Sequence, residues 1–111
     1  MHALVAPVFA GHGFDLFATF SMINERALGA VLTIAYDKED ADEVERAQHC
    51  YREVFDLVMK AGYVPYRVGN QSMAGLDPHG DVYWKTVARI KAALDPDGLI
   101  APGRYEPHLA P

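Results

Sequence analysis

From Asp40 to Gly62 the apolar residues recur three and four positions apart, which is the pattern of one long amphipathic helix. Val44, Ala47, Tyr51, Val54, Phe55 and Val58 share a face, while Glu45, Arg46, Glu53 and Asp56 lie mostly opposite. Asp40 is the expected N-cap, and Glu43 stands at capping-box spacing from it. Lys60 falls in the last turn, where a cation suits the helix dipole, and Gly62 is a natural terminator. A helix with one apolar stripe owes its stability to whatever covers that stripe, so the rest of the chain must supply a packed layer.

The preceding residues read as that layer. Across residues 14–23, Phe14, Leu16, Ala18 and Phe20 alternate with Asp15, Phe17, Thr19 and Ser21, a strand pattern rich in aromatics and Thr. Asn24-Glu25-Arg26 has the length of a hairpin loop, and a second strand is expected over residues 27–36, antiparallel to the first. Two strands alone are marginal in water, so further strands should be present or supplied. The first ten residues are small and apolar, without an N-cap, and read as the tail of a helix ending at Gly11-His12-Gly13.

Beyond the long helix, residues 63–80 carry three Gly and two Pro and read as an ordered loop with a short turn at 71–73. A second helix is expected over 81–94, capped by Asp81, with Val82, Val87, Ile90 and Leu94 as its buried stripe and Trp84 beside it. Asp95-Pro96-Asp97-Gly98 ends it in a turn, and the apolar tail then tightens at Pro102-Gly103-Arg104. The expected fold class is α+β, an antiparallel β-hairpin with two packed helices, as one domain over residues 1–111.

Composition excludes several functions. The chain has 111 residues, half of them apolar and 23% charged, a globular balance. A net charge of −5 argues against a nucleic-acid partner. No apolar run approaches the roughly 20 residues that span a bilayer, so no membrane partner is expected. The opening residues lack the basic flank of a signal peptide, leaving the compartment open, with the cytoplasm as the default. A single cysteine excludes an internal disulfide and a cysteine-based zinc site. The five histidines, at 2, 12, 49, 79 and 108, show no ligand spacing. His49 and Cys50 are helical neighbours about 100° apart, so they are a packed thiol and a surface imidazole, not a nucleophile pair. The acidic run from Asp37 to Glu43 lacks the central Gly of a calcium loop and opens a helix, where negative charge is favourable.

Two features resist a purely structural account. In Tyr63-Val64-Pro65-Tyr66-Arg67, an extended backbone presents a phenol donor next to a guanidinium fork, a pair suited to an anionic oxygen. In Pro102-Gly103-Arg104, a tight turn delivers one cation from an apolar tail.

The run from Ala93 to Arg104, with Asp95-Pro96-Asp97-Gly98 and Pro102-Gly103-Arg104, resembles the C-terminal signature of FAD-linked oxidases. The order of hairpin, long helix, Gly62-Tyr63-Val64-Pro65-Tyr66-Arg67, second helix and closing signature is similar to the vanillyl-alcohol oxidase and 4-cresol dehydrogenase flavoprotein group. The resemblance covers nearly the whole chain, and Tyr66-Arg67 narrows it to phenol-oxidising members.

The resemblance implies the following. The chain is the C-terminal part of a cap domain, with the FAD-binding domain elsewhere on the same or another chain, and it is inactive alone. A para-substituted phenol binds as phenolate, and hydride passes from its benzylic carbon to FAD, giving a quinone methide. Tyr66 and Arg67 match the pair that holds the phenolate oxygen, and Arg104 matches a basic residue near the pyrimidine end of the flavin. A homo-oligomer is expected. Val68-Gly69-Asn70-Gln71 stands where some relatives carry a Thr-His pair, which leaves the particular phenol open. The tail stops soon after Arg104, as in the cresol dehydrogenase branch. Two other readings remain: a non-enzymatic α+β interaction module that pairs through its open sheet edge, and one chain of a split flavoenzyme.

Overall fold

The computed structural model describes residues 1–76 and 82–105. The chain forms two compact units, Met1–Val64 and Pro65–Pro111.

The first unit contains α1 (His2–Gly11), β1 (Phe17–Asn24), β2 (Ala27–Thr33) and α2 (Ala41–Lys60). The opening residues form a helix as expected, and α1 continues through Pro7. Its core cluster joins Val5 and Phe9 of α1, Phe14 and Ala47, Cys50 and Val54 of α2. The buried face of α2 is therefore set by Ala47, Cys50 and Val54, while the rings of Tyr51 and Phe55 stack on its flank with centroids 6.2 Å apart.

Both helices end in the same way. Gly13, at φ 76°, lets Phe14 donate to Phe9 O at 2.9 Å while Gly13 N donates to Ala10 O at 3.0 Å. Gly62, at φ 83°, does the same for Tyr63 and Val58 O at 3.0 Å and for Met59 O at 3.0 Å. This is the Schellman arrangement, with glycine in the left-handed conformation just past the cap. It corrects the expected start of the first strand. Phe14 is drawn into the core beside Phe9 by the helix end, and pairing begins only at Phe17.

Asp40 caps α2 as expected, accepting from Asp42 N at 2.9 Å and Glu43 N at 3.2 Å. Glu43 does not complete the box on Asp40. Its carboxylate accepts instead from Asp37 N at 2.8 Å, tying the incoming loop to the helix.

The hairpin runs from Phe17 opposite Thr33 to Asn24 opposite Ala27, with an irregularity between Met22 and Asn24. Arg26 N donates to the Asn24 side chain at 2.9 Å across the tip. Pairing ends at Thr33, short of the expected Tyr36. Near its base, Leu16, Leu32 and Ile34 pack on the helices. Farther out, Phe20, Met22 and Leu28 are exposed on that face, and Phe17 and Val31 on the other.

The second unit carries short 3-10 turns at Asn70–Ser72 and Ala74–Leu76, then α3 (Val82–Leu94). The expected cap at Asp81 lies outside the described residues. Val82, Ile90 and Leu94 are 75%, 55% and 78% exposed, so the stripe expected to be buried is not. The buried residues of this unit are Val68, Ser72, Met73, Leu76 and Asp95 instead, because the loop and the turn after α3 fold inward.

Candidate functional site

The C-terminal signature is organised around Asp95. The last turn of α3 places Lys91 four residues before it, and Asp95 N donates to Lys91 O at 2.8 Å. The Asp95 carboxylate is buried and accepts from Leu99 N at 2.9 Å, from Ile100 N at 2.8 Å and from Lys91 Nζ. Lys91 Nζ also donates to Ile100 O. Gly98, at φ 64°, closes the reversal with its N–H on Asp95 O at 3.1 Å. The Lys91 hydrogen bond, followed by that from Ile100 N, holds the Asp95 carboxyl down at about 2.

This reversal feeds a second turn. Arg104 N donates to Ala101 O at 3.1 Å, with Pro102 and Gly103 (φ 74°) at the central positions, the Pro-Gly pattern of a type II turn. Arg104 is exposed at its end. The next residue, Tyr105, folds back on the unit: its hydroxyl accepts from Val68 N at 3.2 Å and its own N–H donates to Met73 Sδ at 3.4 Å.

Val68 directly follows the pair singled out above. Tyr66 is 65% exposed, and the Arg67 guanidinium carbon lies 5.8 Å from the centroid of its ring. That is within cation–π range, and Arg67 is exposed, so its N–H groups are open to an acceptor. Among the described residues, neither Arg67 nor Arg104 makes an ion pair or a side-chain hydrogen bond. Tyr66, Arg67 and Arg104 thus belong to one compact unit, tied by the Tyr105–Val68 bond. Sequence reasoning missed Tyr105 and the Lys91–Asp95 pair. The Lys-x-x-x-Asp spacing before Pro96 was a readable signal for the second; nothing local marked the first.

In the first unit, His12, Asp42, Glu45, Arg46 and His49 line a shallow cleft of about 430 Å³. Its charges are mutually engaged: His12 Nε2 meets Glu53 at 2.9 Å, His49 meets Glu45 at 3.7 Å, and Arg46 Nη1 donates to His12 O at 2.8 Å. Cys50 is fully buried away from it, and burial, helped by the Glu53 charge, pushes its thiol up. Among the described residues no His, Cys, Asp and Glu group could hold a metal ion, and no helix is long and apolar enough to cross a membrane.

Residues 26–105 match the family described as FAD linked oxidases, C-terminal domain. This chain belongs to that family. It is 39% identical over 95 residues to the 1'-carboxy-chondrochloren decarboxylase of Chondromyces crocatus, an alignment covering 86% of this chain and 18% of that protein. It is 33% identical over 103 residues to the 4-cresol dehydrogenase [hydroxylating] flavoprotein subunit of Pseudomonas putida, covering 92% of this chain and 20% of that subunit. The chain thus spans about a fifth of the length of these relatives. No solved structure matches it. The family match includes β2, α2, the Tyr66–Arg67 segment, α3 and the Asp95–Arg104 turns, and leaves α1 and β1 outside. Arg67 and Arg104, exposed and without a carboxylate partner among the described residues, are chemically suited to an anionic group.

Proposed function

We propose that this chain is the C-terminal portion of an FAD-dependent oxidoreductase that acts on para-substituted phenols, and that it works only with an FAD-binding domain on the same or a second chain. The exposed Tyr66–Arg67 pair carries this reading. Its support is the likeness to a 4-cresol dehydrogenase flavoprotein subunit across 92% of the chain. When bound, FAD supplies the hydride acceptor. Tyr66 donates a hydrogen bond from its hydroxyl to the phenolate oxygen, and Arg67 adds charge and a second donor. Both favour the ionised form of a phenol whose pKa in water is about 10. Loss of hydride from the benzylic carbon of a phenolate leaves a neutral quinone methide, so the pair also loosens its hold once reaction has occurred. Arg104 contributes a positive charge that favours a reduced, anionic cofactor.

The 39% identity to a protein named as a decarboxylase favours one second reading, in which the Arg67 fork takes a substrate carboxylate. Both readings are tested in the FAD-loaded assembly. Arg67→Ala and Tyr66→Phe are expected to raise the KM for a para-alkylphenol by about tenfold or more, the worth of one charge-assisted hydrogen bond. Arg104→Ala is expected to lower the flavin potential while leaving phenol binding in place. Unchanged phenol kinetics in Arg67→Ala would remove the phenolate role, and loss of turnover only on carboxylated substrates would establish the second reading.

A further inference from the structure

Tyr105 holds a left-handed backbone, at φ 55°, two residues after Gly103 and four after Ala101, itself at φ 44°. Such a conformation costs free energy for any L-residue other than glycine, and most for a bulky one. It persists here because both ends of Tyr105 are bonded to one loop. The hydroxyl accepts the N–H of Val68 at 3.2 Å, and the backbone N–H reaches Met73 Sδ at 3.4 Å. Val68 and Met73 are only 7% and 6% exposed, so the anchors are core residues of this unit.

The two bonds fall on particular peptide groups. The N–H of Val68 belongs to the peptide that also carries the Arg67 carbonyl. The N–H of Tyr105 belongs to the peptide that carries the Arg104 carbonyl. One residue therefore holds the backbone directly after both Arg67 and Arg104, from segments 37 residues apart in sequence. Because the peptide group is planar, a bond held by its N–H also restrains the carbonyl of the arginine before it and limits how far that residue's backbone can turn.

We infer that Tyr105 is a positioning residue: its clasp on Val68 and Met73 sets Arg67 and Arg104 relative to each other, and so fixes how a bound phenolate is held relative to the flavin. This rests on the phenol-oxidising reading above. A strained residue kept in place by bonds to the site's own loop is how pre-organisation is maintained, and a tyrosine supplies it with a single hydroxyl.

The test uses Tyr105→Phe, which keeps the ring and removes the acceptor. In the full flavin-free chain, amide exchange at Val68 should quicken about tenfold, while Val5, Cys50 and Val54 keep their protection and report intact folding. In the FAD-loaded assembly the variant should raise the phenol KM severalfold with little change in kcat. In an Arg67→Ala background the same substitution should raise the phenol KM no further, since its effect on phenol binding acts through Arg67, while any effect through Arg104 falls on the flavin potential. Equal fold-changes in both backgrounds, or unchanged exchange at Val68, would overturn the inference. If Arg67→Ala alone leaves phenol kinetics untouched, the phenol reading falls and the positioning role with it. Exchange at Val68 in the flavin-free chain then shows separately whether the clasp itself exists.

Discussion

Asp95 accepts the backbone N–H of Ile100 at 2.8 Å with the same carboxylate that takes Leu99 N at 2.9 Å and the Lys91 ammonium. One side chain thereby satisfies the reversal that follows α3 and directs the tail toward Arg104. Three donors on one carboxylate explain why a short, glycine-bearing turn is held in a fixed shape.

That carboxylate makes the turn acid-sensitive in a defined direction. Its folded value is held down to about 2, below the ordinary aspartate value near 4 that the unfolded chain would show. The stabilisation is complete above pH ~4 and is lost as pH falls through the folded value. Carboxyl carbon shifts of Asp95, followed by NMR between pH 6 and pH 1.5, should titrate well below the ordinary aspartate value. Asp95→Asn should lose the charge-assisted bond from Lys91 Nζ at every pH and one of its two acceptor oxygens, so at least one of the Leu99 and Ile100 amides should exchange faster even at neutrality.

The end of α1 predicts a contrast between two glycines. A Cβ on Gly13 would meet Arg46 Nη1 at 3.1 Å, whereas one on Gly62 would meet nothing within 4 Å. Both sit at positive φ, so both alanine variants incur a backbone cost of about 1 kcal/mol. Arg46 is not free to retreat, since it donates to His12 O at 2.8 Å and lies 5.1 Å from the centre of the Phe14 ring. Gly13→Ala should therefore lower the melting temperature more than Gly62→Ala, by several degrees for each further kcal/mol. Equal melting temperatures would mean that the Arg46 contact yields without cost.

Cys50 should be chemically silent while the chain is folded. It has no exposed surface, and burial together with Glu53 raises its thiol above the ordinary value. Reaction with a disulfide reagent at pH 8 should be at least ~100-fold slower than in denaturant, because it must await opening of the α1–α2 core. Cys50→Ser should cost about 1–3 kcal/mol by burying a hydroxyl among apolar side chains. A rate matching that of the denatured chain would place the thiol at the surface.

Much of the molecule was legible in its residues, and the misses share a cause. Helix α2, its Asp40 cap, the Gly62 stop and the antiparallel hairpin follow from patterns contained within a few residues. Glu43 turned to Asp37 instead of Asp40, and Phe14 joined the helix end instead of the strand, because each had a second partner of comparable local merit. The exposed stripe of α3 shows the limit of periodicity, which identifies an apolar face but not what covers it. At the candidate site, Tyr66, Arg67 and Arg104 were visible as residue types suited to an anion. The Tyr105–Val68 bond that ties them was not, since it joins positions 37 apart and leaves no spacing to read.

The bonds of the Asp95 reversal have another consequence, one of inheritance. The bonds of the Asp95 carboxylate to Lys91, Leu99 and Ile100, and that of Lys91 to Ile100 O, each join residues no more than nine apart. These bonds travel with the segment that makes them. Recombination or a deliberate graft can move it between scaffolds as a unit, and the receiving protein obtains a finished bend, not merely a string of residues.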